Sequence, residues 1–266
     1  MNRLKIKSTL FRCLEEAGKI LSRSLHERRI VRMKSSVNLV TATDHASEKL
    51  IIKTIQRTFP GHAILAEESL AQGTASAHRW IIDPLDGTTN FAHTFPVACV
   101  SIAYEEYGEV RMGGVFDPFR NELFYAEKGK GAAMNGKKIA PSRTPTLAKS
   151  LLATGFPYDR AKRMKDYLPL FKDFLLRVQD IRRPGAAALD LCSVACGRFD
   201  GYWECNLQPW DAAAGALIVQ EAGGKMSDFS GRAYKTGSFQ TLAANPYLHP
   251  EMLRILRPYR HLKPLG

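Results

Sequence analysis

Apolar residues near the N-terminus recur at three- and four-residue spacing: Leu10, Leu14, Ala17, Leu21 and Leu25 fall on one face. That period predicts an amphipathic helix, with the intervening basic residues on its solvent side. A second helix is predicted over about 44–59, with Ala46, Leu50, Ile51 and Ile55 sharing a face and Pro60-Gly61 stopping it. Polar residues 71–79 follow, and then Trp80-Ile81-Ile82 reads as a short buried strand delivering Asp83 to its end. The apolar runs 97–104, 109–116 and 122–126 predict successive strands of an antiparallel meander, with Tyr107-Gly108 and Asp117-Pro118 as turns. Beyond a polar connection at 141–149, residues 151–154 resemble another strand, and helices are predicted around 165–178 and 187–196. The second half therefore reads as α/β. The expected organisation is one unit spanning 1–266, with 141–149 as the candidate subdomain boundary.

Composition narrows the class. With 266 residues, 45% of them hydrophobic, the chain is long enough to bury a substantial core without metal or disulfide staples, which excludes intrinsic disorder and fibrous repeats. Five cysteines (Cys13, Cys99, Cys192, Cys196, Cys205) form an odd set with no CxxC spacing, so reduced thiols are expected. The longest apolar stretches, such as 97–103, fall far short of the roughly 18 residues of a membrane span. The N-terminus lacks an uninterrupted apolar segment and a cleavage site for secretion. A cytoplasmic location is the resulting expectation.

Charge adds a question about partners. The net charge is +12, and through Lys34 the chain carries ten basic residues (Arg3, Lys5, Lys7, Arg12, Lys19, Arg23, Arg28, Arg29, Arg32, Lys34) against Glu15, Glu16 and Glu27. A solvated helix face accounts for this, and so does attraction to nucleic acid or an acidic protein surface.

Two local patterns are decoys. Gly131-Ala-Ala-Met-Asn-Gly136-Lys137-Lys138 nearly matches a phosphate-binding P-loop, but Lys138 replaces the Ser/Thr that would bind magnesium. Asn135-Gly136 reads instead as a hairpin turn. Cys192 and Cys196, four apart on a predicted helix, have no second metal-ligand pair and read as core cysteines.

The candidate chemistry is acidic. In Asp83-Pro84-Leu85-Asp86-Gly87-Thr88-Thr89-Asn90, two carboxylates three apart with Pro84 between them can converge on a hard cation, to which the Leu85 carbonyl adds an oxygen. Gly87 permits close backbone approach, and the N–H groups after it, if they open a helix, suit an anion. An Asp-rich turn with an N-cap is the plain alternative. Glu67-Glu68-Ser69 taken alone reads as a solvated loop. Trp210-Asp211 opens an Ala-rich helix ended by Gly223-Gly224, where an aspartate is ordinarily a cap.

In combination these elements resemble the inositol monophosphatase family, over nearly the whole chain. The matching stretches are Lys34-Ser-Ser-Val-Asn-Leu-Val-Thr-Ala-Thr-Asp44, Ala66-Glu-Glu-Ser69, Trp80-Ile-Ile-Asp-Pro-Leu-Asp-Gly-Thr-Thr-Asn-Phe91, Pro184-Gly-Ala-Ala-Ala188 and Trp210-Asp-Ala-Ala-Ala-Gly215. Arg182-Arg183-Pro184-Gly185 and Asp200-Gly201-Tyr202-Trp203-Glu204 look most like its bacterial type. The resemblance implies a layered α/β sugar-phosphatase fold, with alternating layers of helices and mixed or antiparallel sheets, and a homodimer. It implies a magnesium-dependent phosphomonoesterase with two or three Mg2+ ions, sensitive to lithium and hydrolysing inositol monophosphate or related polyol and sugar phosphates with a metal-activated water.

Carried over by position, Glu67, Asp83, the Leu85 carbonyl, Asp86 and Asp211 would bind magnesium. Glu67, Thr88 and Asp44 would orient and help deprotonate the attacking water. The Gly87 and Thr88 amides would hold the phosphate. Asp86, Asp211, Gly185, Ala186, Ala187 and Glu204 would meet the rest of the substrate, and Arg183 would line that pocket. Asn38 stands where the family commonly has Asp, and Ala66 where it has Gly. Neither is one of the implied ligands. Histidinol phosphate, fructose 1,6-bisphosphate and a nucleotide 3′-phosphate are the alternative substrates. A transcription-associated RNA- or protein-binding role through the basic N-terminal helix is the alternative class, although no RNP, KH or helix-turn-helix signature accompanies it.

Overall fold

A computed structural model describes residues 3–25, 31–33, 39–72, 76–157 and 159–264. Glu27, Arg28, Arg29, Lys34 and Asn38, singled out above, lie outside the described residues.

The elements, in chain order, begin with α1 (Arg3–Ser24), β1 (Val31–Met33), β2 (Leu39–Thr41), α2 (Ala42–Thr58), β3 (Ala63–Ala66), β4 (Leu70–Gln72) and β5 (His78–Asp86). Then come α3 (Thr88–Ala92), β6 (Cys99–Glu106), β7 (Glu109–Asp117), β8 (Glu122–Glu127), β9 (Ala132–Met134) and β10 (Lys137–Lys138). The second half comprises β11 (Leu151–Thr154), α4 (Arg160–Leu175), β12 (Asp180–Arg182), α5 (Ala187–Ala195), β13 (Gly201–Cys205), α6 (Pro209–Ala222), β14 (Lys225–Ser227), β15 (Gln240–Ala244) and α7 (His249–Leu256). Apart from the short β1–β2 pair, the strands form two sheets. One has eight strands in the order β10-β9-β8-β7-β6-β5-β3-β4, and the other has five in the order β12-β11-β13-β15-β14.

Strand alternation explains the layering. Trp80 and Ile82 of β5 face one way with Ile102 and Tyr104 of β6, and pack under Leu10, Leu14, Ala17, Ile51 and Ile55 of α1 and α2. Ile81 and Ala103 face the other way, onto Leu191 of α5 and Ala213, Leu217 and Ile218 of α6. The same cluster includes Ala153, Tyr202 and Ala243 of the small sheet, whose far face carries Leu152, Trp203 and Leu242 against Phe174 of α4 and Met252 of α7. The result is five layers: helices, large sheet, helices, small sheet, helices. No helix among the described residues is long and apolar enough to cross a membrane.

Most elements lie where the apolar pattern predicts, including the meander β6–β7–β8, which is antiparallel throughout. Asn135 and Gly136 both take positive φ between the paired β9 and β10, as a tight hairpin turn requires. All five cysteines are unpaired; four are buried and Cys196 is half-buried. Two expectations need correction. On α2, Ala46 is exposed and Leu50 half-buried, because the buried stripe ahead of Ile51 and Ile55 is made by Asp44, Ser47 and Glu48. Furthermore, β5 does not end at Asp83. It continues through a bulge, with Asp83 opposite Ser101 and Asp86 opposite Cys99, and the irregularity lies between them.

Candidate active site

Sheet register assembles the first acidic pair. β3 runs parallel to β5 with Ala66 beside Ile82, so the residues that follow, Glu67 and Asp83, leave adjacent strand ends together. The Glu67 N–H donates to the Ile82 carbonyl at 3.2 Å and holds that register to the last step. The bulge then turns Asp86 toward the same side, where its Oδ2 accepts the Ala188 N–H at 2.7 Å from the start of α5. Gly87 follows at φ +93°, and a Cβ there would stand 2.7 Å from the Val97 carbonyl, so glycine is required at this turn.

The second half supplies the opposite wall. α6 approaches the large sheet so closely that a Cβ on Gly113 would lie 2.9 Å from the Ala214 backbone. Ser101, the register partner of Asp83, has its hydroxyl 3.4 Å from the Trp210 carbonyl. Asp211 is thereby brought to the carboxylate cluster. It is also the cap that a plain reading suggests, since its Oδ2 accepts the Gln208 N–H at 2.7 Å. Glu204 comes from β13 and accepts a hydrogen bond from the Tyr202 hydroxyl. A Cβ at Gly155 would collide with the Glu204 carboxylate, so the chain there has to be bare.

These groups surround one cavity of about 620 Å³, lined by Glu67, Asp83, Leu85, Asp86, Gly87, Thr88, Arg183, Gly185, Ala186, Ala187, Glu204 and Asp211. Every residue nominated from the sequence is therefore brought together here, with one exception of position. Asp44 lies behind the wall, fully buried, with its Oδ1 3.2 Å from the Thr88 hydroxyl and its Oδ2 accepting from the Thr41 N–H and hydroxyl at 2.8 and 2.6 Å. The Thr88 hydroxyl also stands 3.0 Å from the Leu85 carbonyl. The cavity holds more than was nominated: Phe156, Pro157, Arg160, Asp190, Leu207 and Trp210 also line it.

Electrostatics test whether a cation fits. Burial pushes Asp83 well above the usual carboxylate range, and the neighbouring Glu67, Asp86 and Asp211 push in the same direction. Asp211 is raised by burial and by Asp86. Asp86 is raised to about 7 by burial, against the opposing Ala188 N–H. Such a crowd of carboxylates, with Asp83 buried and Glu67, Asp86 and Asp211 half-buried, would be relieved by a divalent cation. No histidine or cysteine lines the cavity among the described residues, and an all-oxygen set suits a hard ion such as Mg2+. Among those residues no three acidic, histidine or cysteine groups are already drawn in around one point. Toward the other end of the cleft, burial raises Glu204 to about 7, opposed by the Tyr202 hydrogen bond and the Arg183 guanidinium.

The five layers and the carboxylate cleft place the chain in the layered α/β class of the inositol monophosphatase fold. A model of the inositol monophosphatase family matches residues 4–261, and the chain belongs to that family of phosphatases. It is 47% identical over 220 residues to the inositol-1-monophosphatase of Synechocystis, covering 82% of this chain and 77% of that one. It is 41% identical over 249 residues to the Nus factor SuhB of Escherichia coli, covering 92% and 93%. Among solved structures, the extragenic suppressor protein suhB of Bartonella henselae superposes with a TM-score of 0.91 at 38% identity over 95% of this chain and 98% of that one. The inositol monophosphatase of Anabaena gives 0.87 at 39% identity over 97% of each.

Proposed function

We propose that the protein is a magnesium-dependent phosphomonoesterase acting on inositol monophosphate or a closely related polyol or sugar phosphate. The observation that carries this reading is the convergence in one cleft of Glu67, Asp83, Asp86 and Asp211 with a second polar wall of Glu204 and Arg183. Glu67, Asp83, Asp86, Asp211 and the Leu85 carbonyl would hold two or three Mg2+ ions. Bound there, Mg2+ would acidify a coordinated water and neutralise charge on the phosphoryl group and the departing alkoxide.

The chain's own residues do the rest. The Gly87 and Thr88 amides hold the phosphate oxygens. The Thr88 hydroxyl, which donates to buried Asp44, takes a proton from the attacking water as it passes its own to the Asp44 carboxylate, and Glu67 orients that water. Glu204, Asp86 and the 185–187 backbone accept or donate to the hydroxyls of the leaving group. The homodimer and lithium inhibition expected of the family belong to the same reading. The test is phosphate release from inositol 1-phosphate, histidinol phosphate, fructose 1,6-bisphosphate and a 3′-phosphoadenosine nucleotide, with and without Mg2+. Magnesium-dependent turnover that falls by at least about 100-fold in Asp83→Asn supports the reading, on the scale of losing one preorganised charge-stabilising group. Equal turnover by that folded variant refutes the site.

A second role has a specific motive. Relatives named Nus factor SuhB share more than nine-tenths of this chain's length. On α1, Arg3, Lys5, Arg12, Lys19 and Arg23 are exposed. We propose a transcription-associated contact with RNA or protein on that face, tested by RNA retention across a salt series. Phosphate-backbone binding weakens steeply with salt, so RNA retention that falls away with salt and is lost on neutralising Lys5, Arg12 and Lys19 supports the role for RNA. Retention indifferent to those changes excludes this face.

A further inference from the structure

The α2 edge corrected above carries three polar residues at the relative positions zero, three and four: Asp44, Ser47 and Glu48. They are 0%, 0% and 5% exposed, on the stripe that continues as Ile51 and Ile55 into the core. Burying polar groups on the apolar side of a helix is costly unless each is hydrogen-bonded. Each of the three meets a different segment of the cleft. Asp44 stands against Thr88. The Ser47 hydroxyl donates to the Pro84 carbonyl at 2.8 Å, inside the bulge between Asp83 and Asp86. Glu48 Oε2 accepts the Glu68 N–H at 2.9 Å, one residue beyond Glu67.

The placement of these two bonds matters. Direct pairing between β3 and β5 reaches as far as the Glu67 N–H on the Ile82 carbonyl. Past that point the two carboxylate-bearing segments leave the ladder, yet both are tied to consecutive residues of one rigid helix. The tied atoms are backbone atoms, so they cannot turn aside without moving Glu67, Asp83 and Asp86 themselves. The gap between the segments is therefore set by helix geometry, with a rise of about 1.5 Å per residue.

We infer that Ser47 and Glu48 are positioning residues: together they fix the spacing of the Glu67 turn relative to the Asp83–Asp86 bulge, and through it the affinity of the carboxylate cleft for a divalent cation. This rests on the proposed function. Neither residue is asked to touch the cation. Glu48 acts as a hydrogen-bond acceptor, and its charge is not required.

The experiment measures Mn2+ binding directly, by electron paramagnetic resonance on the purified full-length, metal-free protein, alongside its thermal unfolding. Glu48→Ala and Ser47→Ala are expected to keep a cooperative melt and lose about 10- to 100-fold in Mn2+ affinity, the range for residues that orient metal ligands. Glu48→Gln, whose amide oxygen can still accept the Glu68 N–H, should bind Mn2+ close to wild type. Wild-type affinity in both alanine variants overturns the inference, as does a Glu48→Gln defect equal to that of Glu48→Ala. If Glu48→Ala does not fold, Ser47→Ala decides. A wild-type protein that binds no Mn2+, or binds it undiminished in Asp83→Asn, overturns the site proposal and this inference with it. Tight, Asp83-dependent binding left intact by the Ser47 and Glu48 changes overturns this inference alone.

Discussion

His62 shows how a single side chain sets a pH limit remote from the cleft. The Trp80 indole N–H, which can only donate, points at His62 Nδ1 at 3.0 Å, so that nitrogen must carry a lone pair. The ring also stacks on Phe59 and His78, with centroids 4.6 and 4.9 Å away. Burial, and then the neighbouring His78, lower its pKa from 6.5 to about 4. The folded state thus resists a proton that the unfolded chain accepts. The contribution of His62 to stability is complete above pH 6.5 and drains away as the pH falls toward 4. Urea unfolding across that range should show a loss of stability that is smaller in His62→Gln, whose amide oxygen can accept the indole without titrating. An identical acid limb in the variant would assign the loss to other groups.

Elements, rather than residues, decide how the carboxylates meet. Gly113 lets α6 lie on β7 with no side chain between, and α6 carries Asp211. Gly113→Ala must push the helix backbone outward, at about 1–3 kcal/mol for an overpacked core site. Urea unfolding checks that cost, and Mn2+ titration should show weaker binding than in Leu14→Ala. That second variant opens a cavity on the far side of the sheet and costs about 2–5 kcal/mol without moving α6. Comparable Mn2+ affinity in the two would detach α6 placement from the site. The same scale shows what was legible in the sequence. Strong periodicity identifies α1 and the meander, because their buried stripes are mostly apolar, with polar exceptions such as Thr9 and Ser101 too few to mask the period. The buried stripe of α2 is hidden because Asp44, Ser47 and Glu48 interrupt its hydrophobicity. The signal was present as polar residues in phase with Ile51 and Ile55, but a hydrophobicity count cannot see it. Asp83 and Asp86 were legible from their motif and resemblance. Phe156, Arg160 and Asp190 were not, since they converge only when the two sheets dock.

At the scale of the whole molecule, the crowded carboxylates of the cleft disfavour their own ionisation, a cost that a bound cation would relieve. Binding to the folded state alone adds about 2.7 kcal/mol of stability at 100 times the dissociation constant, and so raises the melting temperature. Mg2+ should therefore raise the melting temperature in a concentration-dependent way, measured by scanning calorimetry, and Asp83→Asn should shrink the rise; an equal rise in that variant would place the ions elsewhere. The layering has one more outcome. Glu67, Asp83, Asp86, Gly87 and Thr88 precede residue 141, whereas Arg183, the 185–187 backbone and Glu204 follow residue 149. On the proposed roles, phosphate is handled by the first stretch and the alcohol mainly by the second, with Asp86 and Asp211 bridging them. A chimera joined within 141–149 to a relative of different preference should therefore inherit its choice of leaving group from the C-terminal parent. In such a chain substrate range could drift during evolution by changes confined to one end of the gene, so long as Asp211 is kept, while the rest of the hydrolytic machinery at the other end is inherited intact.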